Sequence, residues 1–510
     1  MAVLNPADLN GGGEQPEILF GFVAAIGTPW TSVEPSIRDG LTRRGFTVEP
    51  TIRVSELLKE FRLSKPYPSA SANEFDRATM LMDRGDELRR GSNRPEALAL
   101  KVAAAIRGKR LKAGHHILNK RAILIHQLKH PAEVLWLRHI YGDAFNLIGL
   151  YSPRAARKLF LNKVKEMSDD QAEALIKRDE EGDTKYGQQL RKTFHLADVF
   201  IEMRADRTST HYAYQQIERT LDIILGRKIL TPTKDEYGMY LAHAASLRSA
   251  DLSRQVGAAI LDRWDIVSAG ANEVPSAGGG QYTGEDDKPD SRDFVMGKDF
   301  NEVMKREVIE EILAKHDPRW ESYSAEDKDK YVEQLESTRA GNLIEFGRAV
   351  HAEMEAILSA TRRAVTTKGT TLYTTTFPCH NCAKHIVGAG VKEVFYIEPY
   401  PKSLAIDMHS DSIGFFEDLD PRVYEAQTRP SASAIQLPSD KVWFRPFVGI
   451  APRRYAVLFS NMSPEGERFM RKVKGGAVSP NPSGVRLRPA VTSYLEREAA
   501  AATEAESLGF

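Results

Sequence analysis

Four side chains have the types and spacing to do chemistry together: His351 and Glu353 in His351-Ala352-Glu353, and both cysteines of Pro378-Cys379-His380-Asn381-Cys382. One imidazole and a C-x-x-C pair supply three zinc ligands and leave the fourth tetrahedral position open for water. Zinc lowers the pKa of its water from near 16 to about 7. A carboxylate two residues from the histidine is placed to carry the protons, and Glu353 is that group. The chain has 2 cysteines, both in this motif, so no disulfide framework competes for them. The expectation is one catalytic zinc per chain on His351, Cys379 and Cys382, with Glu353 as proton shuttle. A structural zinc would need a fourth protein ligand, for which His380 and His385 are the alternatives.

These groups need rigid elements to hold them. Residues 350–358 read as a helix with Val350, Met354, Ile357 and Leu358 on its buried side, and 370–376 read as a strand. Pro378 stops that strand and puts Cys379 at the start of a helix over 381–387, where the helix dipole favours thiolate. A further strand is expected over 393–397. Upstream, 240–247 reads as a helix, and 257–261 and 266–269 as two strands joined by a turn. Asn272, at the end of the second strand, is placed either to grip a sugar or to cap the turn. Residues 276–341 interrupt this succession with Gly278-Gly279-Gly280, a run of charges and a helical piece over 303–313. Long insertions beside a site are often lids or partner surfaces. Arg292 and Lys298 are candidate phosphate contacts there, against the plainer reading of a solvated charge run.

The first half has a different texture. An apolar run over 18–26 is broken by Gly27-Thr28-Pro29-Trp30, and Thr31-x-x-Glu34 then fits a helix capping box. Val33, Ile37 and Leu41 follow at helical spacing. Strands are expected over 47–54, 122–126, 144–150 and 197–201, with helices over 131–138 and 153–161. Such alternation implies a parallel sheet covered on both faces. The loop after the first strand sits where P-loop proteins hold phosphate. It lacks the P-loop lysine, because Pro29 or Trp30 stands in its place. Phosphoryl transfer is therefore not expected. The alternatives are a sheet kept for structure or docking, and a regulatory nucleotide pocket at Gly27, Thr28, Thr31 and Ser32. Arg84, Arg90 and Arg157 are candidates to reach a phosphate there.

At 510 residues the chain is too long for one core. The expected division is a domain over 1–230 with the P-loop-like loop, a domain over 235–460 with the zinc motif, and a linker with a weakly helical tail over 461–510, the linker itself over 463–483. Lys and Arg total 70 and Asp and Glu total 70, so no net field recruits nucleic acid or membrane. Residues 1–15 have no signal-peptide pattern, and no apolar run is long enough to span a bilayer. A reducing compartment suits the free thiolates, and a cytoplasmic location is expected.

Arg248-Ser249, Val256-Gly257-Ala258, Asn272-Glu273-x-Pro275, His351-Ala352-Glu353 and Pro378-Cys379-x-x-Cys382 together resemble dCMP deaminases. Over residues 19–459 a degenerate P-loop domain precedes the deaminase segment, which is followed by Pro401-Lys402-Ser403 and the segment 446–455. That order resembles the bacterial anti-phage dCTP deaminases. The resemblance implies an α/β chain: an N-terminal P-loop kinase-like parallel sheet and a C-terminal α/β/α cytidine-deaminase-like domain. It implies conversion of dCTP to dUTP and dCMP to dUMP, depleting the pool that feeds viral DNA. Asn272, Arg248, Arg254 and Lys402 become candidate substrate contacts, and a homo-oligomer under an inhibitory or activating regulator is expected. An RNA or single-stranded DNA editor shares the zinc motif, and a nucleotide sensor with a non-catalytic deaminase domain is the third alternative.

Overall fold

The computed structural model describes residues 17–112, 120–181, 186–203, 207–226, 228–285, 289–398, 403–415, 438, 440–462, 472–473, 476–477 and 493–508. The first layer is built on strands β1 (Ile18–Ala24), β2 (Thr47–Val48), β3 (Ile52–Arg53), β4 (Arg121–His126), β5 (Phe145–Tyr151) and β6 (Val199–Glu202). They run parallel in the order β6-β5-β1-β4, with β2 and β3 both against β4. β1 is apolar throughout because both its faces are covered. Ile18, Phe20, Phe22 and Ala24 enter one core, and Leu19 and Val23 enter the other. The helix Trp30–Arg43, which leaves β1, covers the first face through Val33, Ile37 and Leu41. The helix Pro131–Tyr141, which leaves the adjacent β4, covers the opposite face through Val134, Leu137 and Ile140. Chains that diverge to opposite faces leave a crevice at the carboxyl ends of those two strands.

The capping box expected at Thr31 does not form. The helix starts at Trp30 with Pro29 at its N-cap and no side-chain cap. Glu34 instead accepts from Trp30 Nε1 at 2.9 Å and from Arg38 Nε at 3.0 Å. The turn that returns Thr28 N to Ala25 O, at 3.1 Å, sets this earlier start.

The second layer is a six-stranded sheet of β7 (Gly257–Asp262), β8 (Asp265–Ala271), β9 (Thr371–Thr374), β10 (Glu393–Tyr396), β11 (Ile413–Phe415) and β12 (Val442–Pro446). Its order is β11-β12-β10-β9-β7-β8, with β7 antiparallel to both neighbours and the other pairs parallel. The helices Ala352–Arg362 and His380–Gly388 pack on one face through Ala352, Ala356, Ala360, Ala383 and Ile386. The helix Lys234–Ser246 packs on the other through Met239 and Ala242, in the same cluster as the core of the first layer. Two glycines permit these close approaches. A Cβ at Gly270 would stand 2.4 Å from Ala352 O, and one at Gly257 would stand 1.9 Å from Ala242 O.

The layers do not follow chain order. β13 (Gly449–Ile450), beyond the deaminase segment, pairs antiparallel with β6 and closes that edge of the first sheet. Leu458 of the helix Pro452–Phe459 joins the same core. Glu236 ties this return together: Arg219 forks onto it at 2.6 and 2.8 Å, and Ile450 N donates to it at 2.8 Å. The tail is no weak appendage, because the helix Ser493–Ser507 buries Tyr494, Ala501 and Ala505 in the core of the first layer. Its Glu498 accepts from Arg110 Nε at 2.9 Å and from Tyr141 Oη at 3.0 Å, while Arg110 also pairs with Glu17. Apart from 472–473 and 476–477, the expected linker over 463–483 lies outside the described residues.

The insertion folds as the helices Asp293–Met296, Phe300–His316 and Ala325–Glu336, the last two around a small core of Ile309, Trp320 and Val332. Among the described residues no helix is long and apolar enough to cross a membrane.

Candidate active site

His351 is the N-cap of the helix Ala352–Arg362 and Cys379 is the N-cap of the helix His380–Gly388. Two helix N-termini therefore converge on one point, where their unpaired N–H groups favour negative charge. Glu353 and Cys382 lie in the first turns of those helices and are buried. His351 Nδ1 stands 3.2 Å from Cys379 Sγ and 3.4 Å from Cys382 Sγ. The three ligand atoms lie within 4.8 Å of one another.

This arrangement passes a test of fit for zinc. Tetrahedral zinc with the usual Zn–S and Zn–N lengths would separate a sulfur from a nitrogen by about 3.6 Å, close to the separations found. Among the described residues the ligand set closes at three. His380 Nε2 lies 3.7 Å from a Glu345 carboxylate oxygen.

The electrostatics are those of a strongly coupled cluster. The hydrogen bond from Cys382, ahead of that to His351, pulls the Cys379 thiol down to about 4. The same bond and burial push the Cys382 thiol up. Burial, then the adjacent Cys379, raises the Glu353 carboxyl. Glu353 is held at both oxygens: Thr374 Oγ1 donates to Oε1 at 3.2 Å and Cys382 Sγ donates to Oε2 at 3.3 Å.

His351, Glu353 and Cys379 line a cavity of about 260 Å³ whose walls also include Asn272, Arg254, Thr376 and Phe377. The insertion supplies another wall through Asp293, Asp299, Asn301 and Glu302. Arg348, three residues before His351, fixes that wall by donating to Asp293 at 2.7 Å and to Ser291 O at 3.1 Å. Arg254 is exposed and makes no ion pair with any described residue.

The candidate substrate contacts separate here. Arg254 and Asn272 reach the cavity, whereas Arg248 is exposed and outside its lining. Lys402 lies outside the described residues. Asn272 uses its amide on the main chain, accepting from Val256 N at 2.7 Å and donating to Arg254 O at 2.9 Å. It thus shapes the segment that carries Arg254, closer to the turn-capping alternative than to a free sugar contact. Arg292 is tied to Asp290 at 2.7 Å and, like Lys298, does not line the cavity. Thr374, Arg348 and Asn301 were missed from sequence. Thr374 was legible as a polar residue ending the strand before Pro378, and Arg348 as a cation just before His351, but nothing local marks Asn301.

In the first layer, Gly27, Thr28 and Thr31 line a separate cavity, and Ser32 is exposed outside it. Arg84 donates to Leu58 O at 2.7 Å and Phe61 O at 2.9 Å, and Arg157 to Ser152 O at 3.1 Å. Both hold main chain, and Arg90 is exposed.

Residues 232–398 match the family model for the cytidine and deoxycytidylate deaminase zinc-binding region. The chain is 30% identical over 167 residues to the deoxycytidylate deaminase of Enterobacteria phage T4, covering 32% of this chain and 78% of that one. It belongs to the deoxycytidylate deaminase family. The deoxycytidylate deaminase of phage T2 is also 30% identical, covering 80% of its length. A dCMP deaminase from cyanophage S-TIM5, solved with dCMP and dUMP, shares 20% identity over 36% of this chain and 93% of its own, with a TM-score of 0.21. The chain is thus a deaminase and a hydrolase. The family match begins at residue 232, so the sheet of β1 to β6 lies outside it.

Proposed function

We propose that this deaminase removes the 4-amino group of deoxycytidine nucleotides, dCTP as well as dCMP, by hydrolysis at one zinc held by His351, Cys379 and Cys382. The observation that carries this is the convergence of those three ligand atoms beside Glu353, with His351, Glu353 and Cys379 lining one cavity. When bound, the ion supplies the Lewis acidity that makes water nucleophilic at neutral pH. Glu353 takes one proton from water and delivers it to the ring N3, then takes the second from the new C4 hydroxyl and delivers it to the departing amine. The C4–N bond breaks, a C4 carbonyl forms, and ammonia leaves. Thr374 keeps the carboxylate oriented between deliveries. Arg254, exposed in the cavity lining, meets the phosphate, and Phe377 packs beside the base.

The extension to dCTP and to an anti-phage role rests on the sequence order that resembles bacterial dCTP deaminases. In this reading the chain is cytoplasmic, a homo-oligomer, and held in check through its first layer by a regulator or nucleotide. Purified protein is offered dCTP, dCMP, CTP and single-stranded DNA separately, and uracil product is measured. Product from dCTP and dCMP is expected. No product from any free nucleotide rejects the proposal, and product from DNA alone makes the chain an editor.

A further inference from the structure

The crevice at the carboxyl ends of β1 and β4 holds a cavity of about 320 Å³ that shares no lining residue with the active-site cavity. Its walls are largely apolar, from Leu81, Met82, Leu98, Phe160, Leu161 and Met167.

The loop expected to hold phosphate is already engaged. The Asp179 carboxylate accepts from Ile26 N at 2.8 Å and from Lys129 at 2.9 Å, the contacts a phosphate oxygen would take. The charges on the walls are matched in the same way. Arg89 pairs with Glu133 at 2.7 Å and Lys165 with Glu74 at 2.9 Å, which leaves Arg53, itself 3.9 Å from Glu34. A nucleoside triphosphate carries about four negative charges at neutral pH and would meet little uncompensated positive charge here.

What the cavity offers is hydrogen-bonding capacity. Thr28 Oγ1, Arg89 Nε and Gln188 Oε1 are buried, have no hydrogen-bond partner among the described residues, and belong to lining residues, while Arg89 Nη1 stands 3.5 Å from Asp86. Arg89 is 2% exposed. A buried polar atom left unsatisfied costs about 1–3 kcal/mol, so several among the lining residues of one cavity favour an occupant that answers them. The set contains donors on Arg89 and Thr28 and an acceptor on Gln188. Carbonyl oxygens beside a ring N–H, carried on a flat apolar body, match both.

We propose that this cavity is a second ligand site, taking an uncharged lactam heterocycle of nucleoside size, such as a thymine, uracil or guanine nucleoside, and not a nucleoside triphosphate. The cavity volume suits such a ligand. Binding is independent of the chemistry proposed for the active site.

Calorimetric titration of the full-length, zinc-loaded protein with thymidine, deoxyuridine, deoxyguanosine, dTTP and inorganic triphosphate tests it. At least one nucleoside is expected to bind once per chain, with dTTP no tighter. Arg89→Lys removes the unpartnered Nε donor, and Ala78→Phe fills the cavity from its wall. Each is expected to weaken that binding tenfold or more, while Ala78→Phe leaves dCMP turnover unchanged. The proposal is overturned if none of the nucleosides binds, if both variants bind as the parent does, or if dTTP binds tenfold tighter than thymidine.

Discussion

At the scale of single residues, the site separates metal binding from proton transfer. Glu353 lies outside the three-atom ligand cluster yet touches it through Cys382. Glu353→Gln should therefore keep one zinc per chain by metal analysis while turnover falls by about 10²–10⁴-fold, the usual worth of a placed general acid–base. Near-normal turnover in that variant would remove Glu353 from the mechanism. Arg254 offers a different signature, being exposed at the cavity and outside any ion pair among the described residues. In Arg254→Ala, KM for dCMP should rise by about tenfold or more with kcat within a few-fold. An unchanged KM would place the phosphate elsewhere. His126 gives a pH dependence. Burial, then the charges of Arg53 and Lys129, push its imidazole down to about 3, with Glu34 opposing. Between that value and an unfolded pKa of about 6.5 the unfolded chain binds more proton than the folded one. The stability due to neutral His126 is thus complete above pH 6.5 and is lost as pH falls towards 3. His126→Phe keeps a ring against Trp30, whose ring stacks on His126 at 4.4 Å. By urea unfolding at pH 7 and pH 5, the parent should lose about 2 kcal/mol more than the variant. Equal losses would show that His126 is not buried as a neutral ring.

At the scale of elements, the active site depends on helices seated tightly on a sheet. An alanine at Gly257 would drive its Cβ into the main chain of the helix Lys234–Ser246, within 1.9 Å of Ala242 O. Overpacking of this kind costs about 1–3 kcal/mol, and Gly257→Ala should lower the denaturation midpoint accordingly. An unchanged midpoint would mean that the helix stands off the strand. These elements were largely legible in the sequence because their determinants are local. Alternating apolar runs, a proline stop at Pro378 and a histidine just ahead of an apolar helical stripe each act within about ten residues. What escaped is non-local. Asn272 looked like a sugar contact because its Val256 and Arg254 main-chain partners come from the other side of the hairpin. Thr31 and Glu34 satisfied a capping pattern, but Glu34 is drawn to Arg38 and Trp30. The helical piece over 303–313 lies within the helix Phe300–His316, but only the folded position of the insertion shows that Asp293 and Asn301 form a wall of the cavity.

At the scale of the molecule, two sheets share a core across the helix Lys234–Ser246, and the first sheet draws on distant parts of the chain. Removing residues 493–510 strips Tyr494, Ala501 and Ala505 from that core and takes Glu498 from Arg110. The truncated protein should melt several degrees lower by calorimetry, the first layer opening ahead of the second. An unchanged melting temperature would contradict the packing described. Sequence reading placed the boundaries at 230 and 460 because β13 is two residues long and the last helix is rich in Ala and Glu. Neither carries a pattern that names its partner.

The late return of β13 and of the helix Ser493–Ser507 also bears on how the protein is made. Synthesis is vectorial, at about 5–20 residues per second, and these two pieces leave the ribosome after the whole deaminase segment. For tens of seconds on that scale, β6 presents an open edge and the helix Ala97–Lys112 presents an uncovered apolar face. The nascent chain can complete its metal-binding half before its first half is closed. The earliest-made sheet is the last to be finished, which makes it the part most in need of chaperone protection during translation.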